Sequence, residues 1–312
     1  MNIHMLPAMP NPHKDLRRLS RAAGCALLAV SALQLLPALW LRGRSLENLH
    51  AYAMVSLLTA LCALLPGAAL GLLLLPRGQR KSALPLGRAK AKSAPLAVMC
   101  AGAAVCYWAN MASAFVSALG EKAGVEFKGP PEIVPKNGGE LLLMLLTIGL
   151  LPAVSEELLM RGVILQPLRR FGGGYAAVCS ALLFALLHQN MQQAPMAFVS
   201  GLALAYAVLR CESLWPPAAI HFWNNAASVL LLYCAGRLDE QAMGTLGLLY
   251  GAALSLAGAV SLVVLVLRRE RCGFFPAQPR PRLWRYFLGS VPMVLALLWF
   301  AANIVAATSF SQ

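Results

Sequence analysis

The feature that most constrains this chain is a series of apolar runs about 18 to 26 residues long, separated by short polar and basic stretches. At 1.5 Å per residue, a helix of that length crosses a hydrocarbon core of about 30 Å. The pattern predicts an all-α fold, a polytopic transmembrane helical bundle of about eight to nine spans. Composition agrees: 59% of the 312 residues are hydrophobic and 12% are charged, about half the charged share of a soluble domain. The expected spans are about 22–41, 51–75, 95–119, 139–167, 176–191, 194–210, 215–235, 243–267 and 284–308. They divide the chain into N-terminal helices (1–138), a central group (139–235) and C-terminal helices (236–312). The first run, preceded by Lys14, Arg17, Arg18 and Arg21, reads as a signal anchor.

A net charge of +14 invites a nucleic-acid reading, but the basic residues sit in short loops between the runs. Alternating the spans from a cytoplasmic N-terminus puts 19 basic residues inside and 6 outside, with Arg161 left within a span. Cytoplasmic loops of membrane proteins carry that excess, so the N-terminus is expected inside and the C-terminus outside. The loop with Arg77, Arg80, Lys81, Arg88, Lys90 and Lys92 falls on the inner side, and 120–138 reads as an irregular exterior connection. The eight cysteines, mostly within apolar runs and without C-x-x-C spacing, read as packing residues. Gly67-x-x-x-Gly71 and Gly247-x-x-x-Gly251 fit close helix packing. Gly172-Gly173-Gly174 lacks the Lys-Ser/Thr of a phosphate loop and reads as a flexible connection.

Few strongly polar side chains remain inside the spans: Glu156, Glu157, Arg161, His188, His221, Asn224 and Asn225, with Asn110 elsewhere. Lipid exposure penalises each of them, and a shared interior site does not. Glu157 and Arg161 are four apart, acid first, so they can pair along one helix face. Glu156 is turned by about 100° from Glu157, lacks that partner, and is free to exchange a proton as a general base. Asn225 follows His221 by one turn, where its amide could donate to a developing oxyanion. Asn224, about 100° away, is expected to bond to a neighbouring helix, with an exchange of roles between the two asparagines as the alternative, and Phe184 packs beside His188.

Glu156-Glu157-x-x-x-Arg161, then Phe184-x-x-x-His188, then His221-x-x-x-Asn225 resembles the CPBP family of intramembrane proteases. That family comprises type II CAAX prenyl endopeptidases and their bacterial relatives, also called the Abi family. The resemblance covers about residues 139–235. It implies a protease in which Glu156 and His188 activate water, His221 and Asn225 stabilise the oxyanion, and Glu157 with Arg161 braces the site. The family's chemistry has been described both as glutamate-based and as metal-dependent. A divalent ion such as zinc would find candidate ligands in Glu156, His188 and His221. The implied partners are the lipid bilayer and a membrane protein, lipidated or peptide substrate, with no nucleic acid, in a bacterial cytoplasmic membrane. The last run, 284–308, is one more than the eight-span core of prenyl proteases. CAAX cleavage does not follow from the resemblance alone. Two other readings use the same polar cluster: a non-enzymatic immunity or scaffold protein, and a proton-coupled carrier.

Overall fold

The computed structural model describes residues 11–43, 45, 48–90, 92, 94–268 and 283–310. Arg44, Arg269, Arg271, Arg280, Arg282, His4 and Cys272 therefore lie outside the described residues. Eleven helices are seen among the described residues, and each of the nine expected apolar runs contains a helix. They are α1 (Pro12–Trp40), α2 (Leu49–Leu74), α3 (Arg77–Ala83), α4 (Pro95–Lys122), α5 (Gly138–Phe171) and α6 (Gly173–Leu187). The rest are α7 (Ala194–Cys211), α8 (Trp215–Ala235), α9 (Glu240–Leu267), α10 (Leu283–Leu288) and α11 (Val291–Ala306). Six of these, α1, α2, α4, α5, α7 and α9, are long and apolar enough to cross a membrane. The chain is an all-α polytopic helical bundle and an integral membrane protein.

α1 begins ten residues before its apolar run. Asn11 caps it by accepting from Lys14 N at 3.0 Å, and Pro12 occupies the first turn, where a missing N–H costs nothing. Arg17, Arg18 and Arg21 therefore stand on a helix. α5 starts with a reciprocal cap: Asn137 Oδ1 accepts from Glu140 N, and Glu140 Oε2 accepts from Lys136 N at 2.7 Å.

The main core runs through α1, α5, α6, α7 and α11, around Leu27, Met160, Leu183, Val208 and Phe300. Small residues set the closest approaches. A Cβ on Gly71 would lie 2.9 Å from Ala26 Cβ and 2.7 Å from Val163 Cγ1, so α2 meets α1 and α5 at van der Waals limit. The second expected motif is half corrected: Gly251 abuts Tyr107, whereas Gly247 faces open space, because α9 packs on α4 along one narrow stripe.

Two connections are more ordered than their composition suggests. Residues 84–90 run along the α7–α8 corner, where Pro85 O, Gly87 O and Leu86 O accept from Leu214 N, Ser213 Oγ and Trp215 Nε1 at 2.7 to 2.9 Å. The 120–138 connection includes a strand β1 (Val125–Phe127) pairing antiparallel with β2 (Thr308–Phe310), Glu126 opposite Ser309. This two-stranded ribbon ties the end of α4 to the end of α11.

Candidate functional site

α5 carries the two carboxylates at the end of a regular α-helical stretch, Leu151–Glu157, bounded by wider π-helical turns at Leu145–Leu150 and Leu158–Leu165. Such turns occur where a helix is locally displaced, frequently at functional sites. Pro152 contributes directly. It has no N–H, so the carbonyl of Ile148, four residues earlier, loses its regular donor. Asn225 Nδ2 of α8 donates to that carbonyl at 3.2 Å. The bond holds Asn225 against α5 and leaves the second amide hydrogen unassigned.

Glu156 and Glu157 diverge as their 100° offset requires. Glu157 is 1% exposed and Arg161 is fully buried. Glu157 Oε1 accepts from Arg161 Nη1 at 3.1 Å and lies 3.0 Å from His221 Nδ1. Arg161 Nη2 donates to Gly201 O of α7 at 3.2 Å, and the guanidinium lies 4.4 Å from the centre of the Phe184 ring. One carboxylate thus joins α5 to α8, and its arginine joins α5 to α6 and α7.

Glu156 is 16% exposed on its side chain. Its Oε2 lies 3.8 Å from His221 Nε2 and accepts no hydrogen bond from the described residues. His221 therefore bridges the two acids, one ring nitrogen towards each. A carboxylate can only accept, so Nδ1 carries the proton towards ionised Glu157, and Nε2 faces Glu156.

His188 requires a correction. The expected span 176–191 put it well within a helix, but α6 ends at Leu187 and His188 is its C-terminal cap. The chain turns there because Gln189 takes a left-handed conformation (φ 56°) and Asn190 Nδ2 bonds His188 O at 2.7 Å. His188 Nδ1 donates to Phe184 O at 2.8 Å, since a carbonyl cannot donate, and Nε2 is left with its lone pair in the neutral ring. Phe184 is the common wall: its ring centre is 4.9 Å from that of His188 and 5.6 Å from that of His221, both edge-on.

The structure thus brings Glu156, Glu157, Arg161 and His221 into direct polar contact. It places His188 against the same phenyl ring, and Asn225 one turn beyond His221 on α8. Asn224 turns to α4, where its Oδ1 accepts from Asn110 Nδ2 at 2.8 Å. Sequence reading missed the Ile148 carbonyl, although Pro152 in the middle of an apolar run was its signal. Among the described residues, no three His, Cys, Asp or Glu side chains gather closely enough to hold a metal ion. Glu156, His188 and His221 do not gather into such a set: the Glu156 and His221 side chains lie against each other, and the contact that places His188 is with the Phe184 ring.

Residues 138–227 match the family model for type II CAAX prenyl endopeptidases, Rce1-like. The match is less than a third of the chain and extends from the first turn of α5 into α8, so it includes every candidate site residue. That segment is Rce1-like. Neither curated proteins nor solved structures match the chain.

Proposed function

We propose that the chain is an intramembrane endopeptidase that hydrolyses a peptide bond of a membrane-associated protein or peptide, at a site open to the cytoplasm. The observation that carries this reading is the environment of Glu156: a partly exposed carboxylate with an unbonded oxygen, beside a histidine that a second carboxylate holds from behind. Glu156 takes a proton from a water as its oxygen attacks the scissile carbonyl. His188, with Nδ1 committed to Phe184, offers Nε2 as an acceptor that orients the same water. The oxyanion that forms accepts from His221 Nε2–H when that nitrogen is protonated, and from the free amide hydrogen of Asn225. Collapse breaks the C–N bond, and Glu156 returns the proton to the leaving amine.

Glu157 and Arg161 touch none of the reacting atoms. Glu157 orients His221, and Arg161 neutralises Glu157 while holding α7. The match to the Rce1-like model over α5 to α8 supports the reaction class. The reading puts the N-terminus in the cytoplasm, because that orientation gathers the basic loops inside.

The test compares membranes of cells carrying wild-type or Glu156→Gln protein, searching by terminal proteomics for a peptide whose terminus depends on the wild type. Purified Glu156→Gln is expected to keep the wild-type unfolding transition and to cleave that substrate about 10² to 10⁴ times more slowly. Cleavage at the wild-type rate would sink the mechanism.

A further inference from the structure

We propose that the cleft between α1 and α11 binds the phosphate headgroup of an anionic phospholipid, with one acyl chain descending along its apolar wall. Three observations converge on this cleft, whose lining shares no residue with the α5–α8 site.

The first is charge. Arg17, Arg18 and Arg21 line both a cleft of about 880 Å³ and an adjoining one of about 530 Å³. Clefts of this size suit a small amphiphile. Arg17 lies 5.2 Å over the ring of Tyr286, whose centre is 4.2 Å from that of the tilted His13 ring. Among the described residues, no carboxylate pairs with Arg18 or Arg21. The nearest acid on this helix, Asp15, lines neither cleft. Three guanidiniums brought together without a counter-charge repel one another, and a phosphate diester relieves that repulsion with two accepting oxygens.

The second is the gradient along the wall. One turn after Arg21 the lining becomes Cys25, flanked by Ala22, Leu74 and Val291. The cationic rim and apolar flank are about 6 Å apart, at 1.5 Å per residue. A free phosphate would use the rim alone, whereas a phospholipid uses both.

The third is position. The cleft joins residues 17–25 of α1, the end of α2 at Leu74 and Pro76, and the start of α11 at Gly289–Pro292. All three lie where an apolar run meets a basic stretch, the level of lipid headgroups, and basic pockets between helices there recognise anionic lipids.

The experiment uses the full chain in nanodiscs of phosphatidylcholine alone or with phosphatidylglycerol. The alkylation rate of Cys25 by N-ethylmaleimide is followed by peptide mapping, with Cys62 of α2, which does not line the cleft, as internal control. Phosphatidylglycerol is expected to slow Cys25 several-fold and leave Cys62 unchanged. In Arg18→Gln/Arg21→Gln the mole fraction needed for half-protection should rise about fivefold for each arginine removed. Equal Cys25 rates in both lipids would overturn the proposal. So would protection by inorganic phosphate in phosphatidylcholine discs equal to that by phosphatidylglycerol, which would assign the rim to a free anion. The wild-type comparison stands even if the double variant fails to fold.

Discussion

Arg161 and the Arg17–Arg18–Arg21 group are all arginines on helices of one bundle, yet they are handled in opposite ways. Arg161 has no exposed surface, and hydrogen bonds to Glu157 and Gly201 enclose it together with the face of Phe184. The α1 arginines are exposed and make no carboxylate pair among the described residues. A cation inside the hydrocarbon layer must bring its counter-charge with it, whereas one at the boundary can use water or lipid headgroups. The interior cluster is therefore a mutually dependent unit, and the rim group is a surface feature with no carboxylate partner among the described residues.

The largest effect is expected where that dependence is broken. Arg161→Met removes the partner of a carboxylate that is 1% exposed, and breaking such a pair from one side costs about 3–5 kcal/mol. Denaturant or thermal unfolding in detergent should show it. Glu157→Gln added to Arg161→Met should recover a large part of the loss, because no charge is then stranded. A loss below about 1 kcal/mol for Arg161→Met would mean that water reaches the pair, and the contrast with the rim would collapse.

The interior unit was partly legible in the chain. The i, i+4 pairing of Glu157 with Arg161 follows from helix geometry alone, as does the divergence of Glu156, and the turn of Asn224 towards a neighbouring helix is found in its bond to Asn110. The bridge from Glu157 to His221 was not legible, because it joins residues 64 apart whose proximity depends on how α5 and α8 cross. His188 was misplaced for a local reason: apolar residues continue almost to position 187, and nothing in hydropathy marks a left-handed Gln189. The rim cleft was invisible because its third wall, α11, lies more than 260 residues from Arg21 in the chain. Hydropathy locates helices, but tertiary crossings select which polar groups meet.

A middle-sized effect tests whether the rim cleft rests on a rigid seam. Directly below it, a Cβ on Gly24 would intrude on the backbone of Met293 and lie 2.7 Å from the carbonyl carbon of Pro292. Backbone cannot rotate away as a side chain does, so Gly24→Ala should force α1 from α11 and cost about 1–3 kcal/mol. It should also widen the cleft and raise the alkylation rate of Cys25. The unfolding transition should fall while the reactivity of Cys62 stays constant; an unaltered transition would mean that α11 is loosely held.

The smallest effect concerns a buried polar link beside the rim. Ser20 is fully buried although its neighbour Arg21 is exposed, since a 100° step carries the next side chain off the packed face. Its hydroxyl donates to the carbonyl of Phe287 and lies 2.6 Å from Ser290 Oγ, at the break between α10 and α11. A hydroxyl is cheap to bury when it is bonded, so this link needs none of the counter-charges that enclose Arg161. Ser20→Ala should cost about 1 kcal/mol, the net worth of a neutral hydrogen bond, and should leave the activity proposed for the α5–α8 site unchanged. A loss as large as that of Arg161→Met would show that the break at Ser290 is itself an interior unit, and the rim could no longer be regarded as a surface laid over an independent core.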